Sequence, residues 1–363
     1  MAAAVIETIG VISGLLGIVQ FGLDNFAAPE AVGSTIRIAV GLDYENGLNN
    51  AGGDLPDIRL FNEAGDFLGM SADPGSVKSG GFADITVDHD DDSTQQAAYT
   101  LFSANDDAIC IAYAAITWPS GDEYSWIGDW GRQCGGTWYY SNYFISGTDH
   151  KPDCLWIDAN NDQPQTGFQV HWPEFSKSDS GFPEDPAEQA NRVDYLCNAG
   201  PPFKMHVYPD EDPNSITHWT LGSRRSDEPL DPKRAAATST AYGRSKTPVS
   251  ARFQRGQHWN HQRSNETYRN GPHFKHLVID DNPKHTGRDL CESSTSLGPD
   301  FISIADGSFC RMTDKTLWPV CKGTVVDDCF NTDVNQLIVG GVATRDSPYE
   351  NVIDWTSVSG HDK

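Results

Sequence analysis

Basic residues are scarce in this 363-residue chain, which has 26 Lys and Arg against 51 Asp and Glu and a formal net charge of −25. Nucleic-acid binding needs basic surfaces that neutralise phosphates, so this balance argues against nucleic acid as a partner. The first 150 residues are especially acidic, with 21 acids and four bases. Residues 232–288 reverse the sign, with 11 bases and three acids, and we expect them to complement acidic surface within or between subunits.

Motifs with a defined catalytic mechanism are also missing. The chain has no GxSxG nucleophile elbow, no phosphate-binding P-loop and no GxGxxG dinucleotide motif. Paired carboxylates for glycoside hydrolysis stay open, because acids are abundant and a sequence does not show which of them approach each other. We therefore expect a protein without catalytic activity and without an organic cofactor.

The cysteines lack the CxxC spacing that is typical of zinc sites. There are eight, in two groups of four: Cys110, Cys134, Cys154 and Cys197, then Cys291, Cys310, Cys321 and Cys329. Their even number and wide spacing favour disulfides, mostly within each group, and a secreted protein, while the connectivity stays open. The glycosylation sequon at Asn265 fits secretion.

Lys and Arg are absent from the first 26 residues, and residues 8–23 are mostly apolar. Such a segment needs a core, a partner or a membrane to cover it. As a helix it would be about 33 Å long, near the thickness of a bilayer core, and its glycines would form a GxxxG packing face. We expect an apolar helix that inserts into a membrane or drives homo-oligomer assembly; a core helix and an atypical signal peptide are the alternatives. Its membrane or assembly residues would be Gly10, Gly14, Leu15, Leu16, Gly17, Val19 and Phe21.

Alternating and β-branched runs follow, separated by Gly, Asn, Asp and Pro. The segments 34–42, 57–62, 81–87, 97–103 and 108–118 predict the strands of an antiparallel β-sandwich over 34–199. No amphipathic helix of 10–15 residues is evident between them, which argues against a parallel α/β sheet. Residues 200–363 would form a second disulfide-bonded, β-rich module, with strands near 276–279, 301–305 and 336–342 and a basic loop over 224–274.

Aromatic residues are dense in the segment 124–144. They predict either a packed core or an exposed platform for the rings of a cell-surface glycan, since aromatic rings with polar tips suit half-wet contacts. The ligand-binding residues of a lectin-like module would be Trp126, Asp129, Trp130, Trp138 and Tyr140.

Calcium is the one metal that acidic loops of the chain favour. Asp158, Asn160 and Asp162 match the first three ligand positions of an EF-hand, but Gln163 replaces the required Gly and Gln169 the bidentate Glu. A true EF-hand is therefore excluded, and a looser calcium loop is the hypothesis, with the acidic run 88–92 as a second candidate.

Histidines gather between residues 258 and 285. Imidazoles at three-residue spacing can share a metal, so a metal-dependent hydrolase is a further alternative, although HWNH lacks the Glu of HExxH. The candidate ligands are His258, His261, His273 and His276, with His285 close by in sequence. Surface histidines in a basic loop are the competing interpretation. The pair Lys233-Arg234 resembles a dibasic processing site.

Five segments resemble a group of secreted ascomycete fungal proteins of about this size. They are GLDYENGL (41–48), DIRLFNEAGDFLG (57–69), LFSANDDAICIAY (101–113), GDWGRQCGGTWYYS (128–141) and CLWIDANNDQPQTGFQVHWPEF (154–175). The resemblance spans most of residues 35–330. It implies secretion and a β-rich, disulfide-bonded body, and it transfers no catalytic residues.

Overall fold

The computed structural model describes residues 9–11, 18–20, 23–41, 51–160, 164–175, 185–210, 212–220, 236–241, 275–343 and 349–356. These residues divide into two compact units, one formed by the residues up to 241 and one by those from 275 onwards. The prediction of a mainly β chain with several antiparallel sheets is confirmed.

The first unit is built from short strands with few helices. Its strands are β1 (Ile9–Val11), β2 (Ile18–Gln20), β3 (Gly33–Val40), β4 (Gly53–Asp54), β5 (Asp57–Phe61), β6 (Phe67–Ser71), β7 (Ser76–Val77), β8 (Phe82–Asp88), β9 (Tyr99–Ser103), β10 (Ile109–Thr117), β11 (Glu123–Ile127), β12 (Trp138–Tyr140), β13 (Asp153–Ile157), β14 (Gln165–His171), β15 (Phe203–Val207), β16 (Ser215–Thr220) and β17 (Ala236–Ala241). The α-helices are α1 (Asp129–Gln133) and α2 (Pro186–Asn198), and 3₁₀ helices cover Leu23–Asn25, Asp90–Asp92 and Trp172–Phe175.

Two antiparallel sheets form the body of the first unit. One has the order β12-β13-β10-β3-β8, with β11 also paired to β10, and the other has the order β15-β14-β9-β5-β6. Every residue of β10 is buried, as expected of an unbroken apolar run, whereas β8 at the edge mostly alternates in burial. The inward side chains of both sheets join one apolar core, for example Ile38 of β3 and Phe102 of β9.

The first unit extends beyond the sequence-based boundary at residue 199. Strand β15 pairs with β14 in the second sheet, and β16 pairs with β17. A boundary at 199 would therefore cut a sheet. The predicted basic loop also contains a strand, because β17 lies within 224–274; the remainder of that loop, including Lys233-Arg234, lies outside the described residues.

The described part of the N-terminal apolar segment does not support the predicted helix. Strands β1 and β2 pair antiparallel, with Gly10 opposite Val19. The β-branched Ile and Val residues of these strands favour extended backbone, and glycine weakens a helix. The assembly residues Gly14, Leu15, Leu16, Gly17 and Phe21 lie outside the described residues.

Helix α2 lies beyond the predicted strands of 34–118, and the sequence patterns did not predict it. It spans 13 residues and starts at an Asp-Pro pair, where the Asp185 side chain accepts hydrogen bonds from the backbone N–H groups of Ala187 and Glu188. Asp at the N-cap followed by Pro at the first position is a typical helix start. Leu196 is the one buried residue of α2, so the helix lacks the wide apolar face that a sequence search detects.

The second unit contains parallel strand pairs that the sequence did not indicate. Its elements are β18 (His276–Asp280), α3 (Gly287–Glu292), β19 (Asp300–Ser303), β20 (Ser308–Arg311), β21 (Thr316–Pro319), β22 (Cys329–Asn331), β23 (Gln336–Val339), β24 (Val342–Ala343) and β25 (Asn351–Asp354). One sheet has the order β21-β20-β19-β18-β25, in which β18 is parallel to both β19 and β25. Strands β22, β23 and β24 form a small antiparallel sheet.

All eight cysteines are paired, and each pair stays within its predicted group of four. The bonds are Cys110–Cys154, Cys134–Cys197, Cys291–Cys310 and Cys321–Cys329. Disulfides of this density are typical of extracellular proteins.

Candidate functional site

The N-terminal strands lie against the first unit. The backbone of β1 is close to β11 and to helix α1, which begin the aromatic segment. Within the part of the chain that the structure describes, no helix is long and apolar enough to cross a membrane.

The five residues predicted to bind a glycan are buried. Trp126, Asp129, Trp130, Trp138 and Tyr140 each expose 2% of their surface or less. Trp126 packs against the rings of Phe168 and Phe203 in the core, with ring centroids 4.8 and 5.6 Å away. These five side chains therefore belong to the interior of the first unit and do not form an exposed sugar platform.

The described residues of the predicted calcium loops do not form a set of metal ligands. Asp158 is fully buried, whereas Asn160 is exposed and its side-chain amide donates to the backbone carbonyl of Asp106 at 2.7 Å. Asp162 lies outside the described residues. The described residues hold no group of three or more His, Cys, Asp and Glu side chains placed to bind a metal.

Two of the clustered histidines can be placed. His276 is buried, with Nδ1 3.0 Å from the side-chain amide of Asn351. His285 is also buried, and its Nδ1 lies 2.5 Å from Oδ2 of Asp280 at the end of β18. His258, His261 and His273 lie outside the described residues.

The most distinctive titratable group in the first unit is one that sequence reasoning missed. His171, at the end of β14, is 6% exposed and lies between two carboxylates. Its Nε2 is 2.8 Å from Oε2 of Glu63, and its Nδ1 is 3.8 Å from Oε1 of Glu174. The side chain of Glu63 is 63% exposed, so the three side chains extend from the protein interior to solvent. We refer to Glu63, His171 and Glu174 as the His171 cluster.

Three different elements bring the His171 cluster together. Glu63 stands in the turn between β5 and β6, where Asn62 Oδ1 accepts hydrogen bonds from the backbone of Ala64 and Asp66. Gly65 has a φ of +83°, and a Cβ there would approach the His218 ring to 2.5 Å, so glycine is required at this turn. Glu174 belongs to the 3₁₀ helix that directly follows His171.

Helix α2 is attached to the same cluster through Glu174. The Tyr195 hydroxyl donates to Glu174 Oε1 at 2.7 Å. Arg192 donates to the Glu174 backbone carbonyl at 2.8 Å and lies 3.5 Å from its Oε2. Tyr99 stacks on the imidazole of His171 with ring centroids 4.2 Å apart.

Opposite charges shift the titration of this cluster. Burial alone would lower the pKa of His171, but the negative carboxylates of Glu174 and Glu63 outweigh burial and raise that pKa. Burial alone would raise the pKa of Glu174, but His171, Tyr195 and Arg192 together lower it. Burial raises the pKa of Tyr195, and the neighbouring Glu174 adds to that rise. The arrangement therefore favours an imidazolium held between two carboxylates.

A second buried cluster lies around α1 and β13. Arg132 Nη1 is 3.0 Å from Oδ2 of Asp153, and its guanidinium lies over the Trp138 ring. His150 Nε2 is 3.4 Å from Oδ2 of Asp129. Burial raises the pKa of Asp153 to about 7, against the opposing effect of Arg132 and with a further contribution from Asp129. Four charged or titratable side chains thus lie beneath the surface of the first unit.

Little in the sequence could have revealed these contacts. His171 and Glu63 are 108 residues apart, and their approach depends on the strand register that places Phe61, Tyr99 and His171 side by side. The local signal is the three-residue spacing of His171 and Glu174, which is common in any sequence.

Comparison with known proteins assigns no family to the chain. A scan against protein-family models finds no match, and a search of curated proteins finds none.

Proposed function

We propose that the protein is secreted and acts without catalysis, by self-assembly through its N-terminal apolar segment. The observation that carries this proposal is the pairing of β1 and β2 within a segment that has no Lys or Arg. Among the described residues, this two-stranded sheet pairs with no further strand. A lone pair of strands is marginally stable in water, and its outer edges offer backbone groups to another chain.

The location of β1 supports the same proposal. Its backbone lies near β11 and α1, so this strand is close to the body of the first unit. Apolar strands covered on one side by their own domain can add a strand from a second copy at the other edge. A homo-oligomer joined in this way would pair the open edge of this sheet with a strand of a second copy.

The body suits an extracellular role. We infer that the two sheets of the first unit form a β-sandwich, because their side chains share one core. Four disulfides stabilise the two units. Secretion accounts for the complete pairing of the cysteines, since cytosolic thiols are kept reduced.

A proline variant with a matched control tests the assembly proposal. Val19→Pro removes a backbone N–H opposite Gly10 and should disrupt the strand pair. Val19→Thr keeps the β-branched shape and should preserve it. We expect light scattering after size exclusion to give an oligomer for the native chain and Val19→Thr, and a smaller species for Val19→Pro and for a chain lacking residues 1–26.

Three outcomes would contradict the proposal. A native chain that is monomeric at micromolar concentration would remove its basis. Unchanged oligomer size in the shortened chain would place assembly elsewhere. Leakage of dye from liposomes by the native monomer, lost on deletion of residues 1–26, would replace assembly by membrane insertion.

A further inference from the structure

Helix α2 is weakly attached to the first unit apart from its polar contacts. Leu196 is its one buried residue, and the Cys134–Cys197 disulfide holds its C-terminal end. Val193 and Tyr195 are partly buried against the core. Tyr195 also stacks on Trp219, with ring centroids 6.2 Å apart. Polar contacts from Tyr195 and Arg192 join the helix to Glu174. The charge on Glu174 and on its neighbour His171 therefore bears directly on how firmly α2 is held.

A protonated and a neutral imidazole can satisfy these contacts to different degrees. The imidazolium has two N–H donors, one for each carboxylate, whereas neutral imidazole has one. Nε2 lies 2.8 Å from Glu63 and Nδ1 lies 3.8 Å from Glu174, so the single remaining proton belongs on Nε2. The Nδ1 lone pair then faces the carboxylate of Glu174, and attraction gives way to repulsion.

We propose that His171 is a pH-operated clamp that joins the turn between β5 and β6 to the 3₁₀ helix beneath α2. When protonated it donates to Glu63 and attracts the carboxylate of Glu174, 3.8 Å from Nδ1, and so holds α2 against the first unit. When it loses its proton it releases Glu174, and α2 loosens at its N-terminal part while the disulfide retains its C-terminal end. Loosening withdraws Arg192 from the backbone carbonyl of Glu174, to which it donates at 2.8 Å in the closed arrangement.

The charged groups around His171 favour its protonated form. From the turn the acids are Glu63 and Asp66, and from the 3₁₀ helix the acid is Glu174. The phenol of Tyr99 comes from β9, Arg192 and Tyr195 come from α2, and His218 comes from β16. Arg192 is the one fixed cation of this set and bonds to Glu174, so protonated His171 faces a net negative environment.

The pH window follows from the two shifted groups. Folding raises the pKa of His171. Its contribution to the stability of the attached helix is therefore complete below the unfolded pKa of about 6.5 and is lost as pH rises through the folded pKa. The pKa of Glu174 is lowered, so its contribution is present above its unfolded value of about 4.3 and is lost as pH falls through the folded value. Attachment of α2 is therefore firmest at mildly acidic pH.

Hydrogen exchange of the amides in 186–198 tests the clamp in the full chain. After correction for intrinsic exchange, we expect protection to fall about tenfold between pH 5.5 and pH 8.5, which corresponds to about 1.4 kcal/mol. His171→Gln should remove this dependence, and Glu63→Gln should shift it to lower pH. Glu188→Gln, at an exposed residue of α2, is the matched control and should behave as the native chain.

The same samples define what would overturn the clamp. Equal protection of α2 at both pH values in the native chain would refute it. An unchanged pH dependence in His171→Gln would assign the response to another group. The His171 ring signal in a carbon-edited NMR titration supplies a separate readout, and a midpoint below 6.5 would also refute the proposal. Near-ultraviolet circular dichroism verifies that each variant is folded.

Discussion

The Cys134–Cys197 disulfide should be the costliest of the four to remove. It joins helix α1 to helix α2 across 63 residues of sequence, whereas Cys321–Cys329 closes a separation of 8. In the chain-entropy model, longer loops restrict the unfolded chain more strongly. This relation gives about 4.3 kcal/mol for the longer loop and about 2.5 kcal/mol for the shorter one.

Two double variants measure this difference directly. Cys134→Ala with Cys197→Ala should lower the free energy of opening of the first unit by about 4 kcal/mol, and Cys321→Ala with Cys329→Ala should lower that of the second unit by about 2.5 kcal/mol. Native-state hydrogen exchange of the slowest amides in β10 and in β18 reports each unit separately. Alanine avoids leaving an unpaired thiol or a buried hydroxyl.

The loss of stability in the first unit should exceed the loss in the second unit. An equal or larger loss in the second unit would refute loop length as the dominant cause. A loss confined to α2, with β10 unchanged, would mean that the disulfide acts on local attachment of the helix and leaves the unfolded chain unaffected.

Two further predictions concern the buried clusters of the first unit. Trp126→Ala should destabilise the first unit by about 3–5 kcal/mol in urea unfolding, because the indole packs against Phe168 and Phe203. A fully stable variant that loses glycan binding would instead support the predicted glycan site. Asp153→Asn should flatten the pH dependence of the free energy of unfolding. The pKa of Asp153 rises to about 7 on folding, so its protonated form stabilises the fold most below the unfolded pKa, and this stabilisation is lost as pH rises towards 7. Identical slopes for the native chain and the variant between pH 4 and 7 would contradict this.

The strands were predictable because their burial patterns leave a clear trace in the sequence. The run 108–118 is apolar throughout and forms β10, and the run 81–87 alternates and forms the edge strand β8. Helix α2 leaves little trace, because its docking depends on Leu196, a disulfide and polar contacts. The parallel pairing of β18 with β19 depends on a crossover through α3, and local alternation does not reveal strand direction.

The site was less predictable for a different reason. A buried and an exposed aromatic cluster have the same composition, so Trp126 and Trp138 gave no indication of which side of the fold they face. The His171 cluster arises from pairing between distant strands, and a shift of one residue in register would place His171 on the opposite face. A site that depends on strand register can therefore be identified from the structure but not from local sequence patterns.

Strand β25 sets the order in which the second unit is completed during synthesis. It lies beside β18, pairing Asn351 with His276 from 75 residues further along the chain. At a synthesis rate of about 5–20 residues per second, β25 is synthesised about 4–15 seconds after β18. During that interval one side of β18 is an open strand edge beside Leu277 and Val278, which are fully buried in the finished fold. Nascent chains are therefore prone to mispairing at this step, and premature termination before residue 351 would leave that edge open for the lifetime of the product.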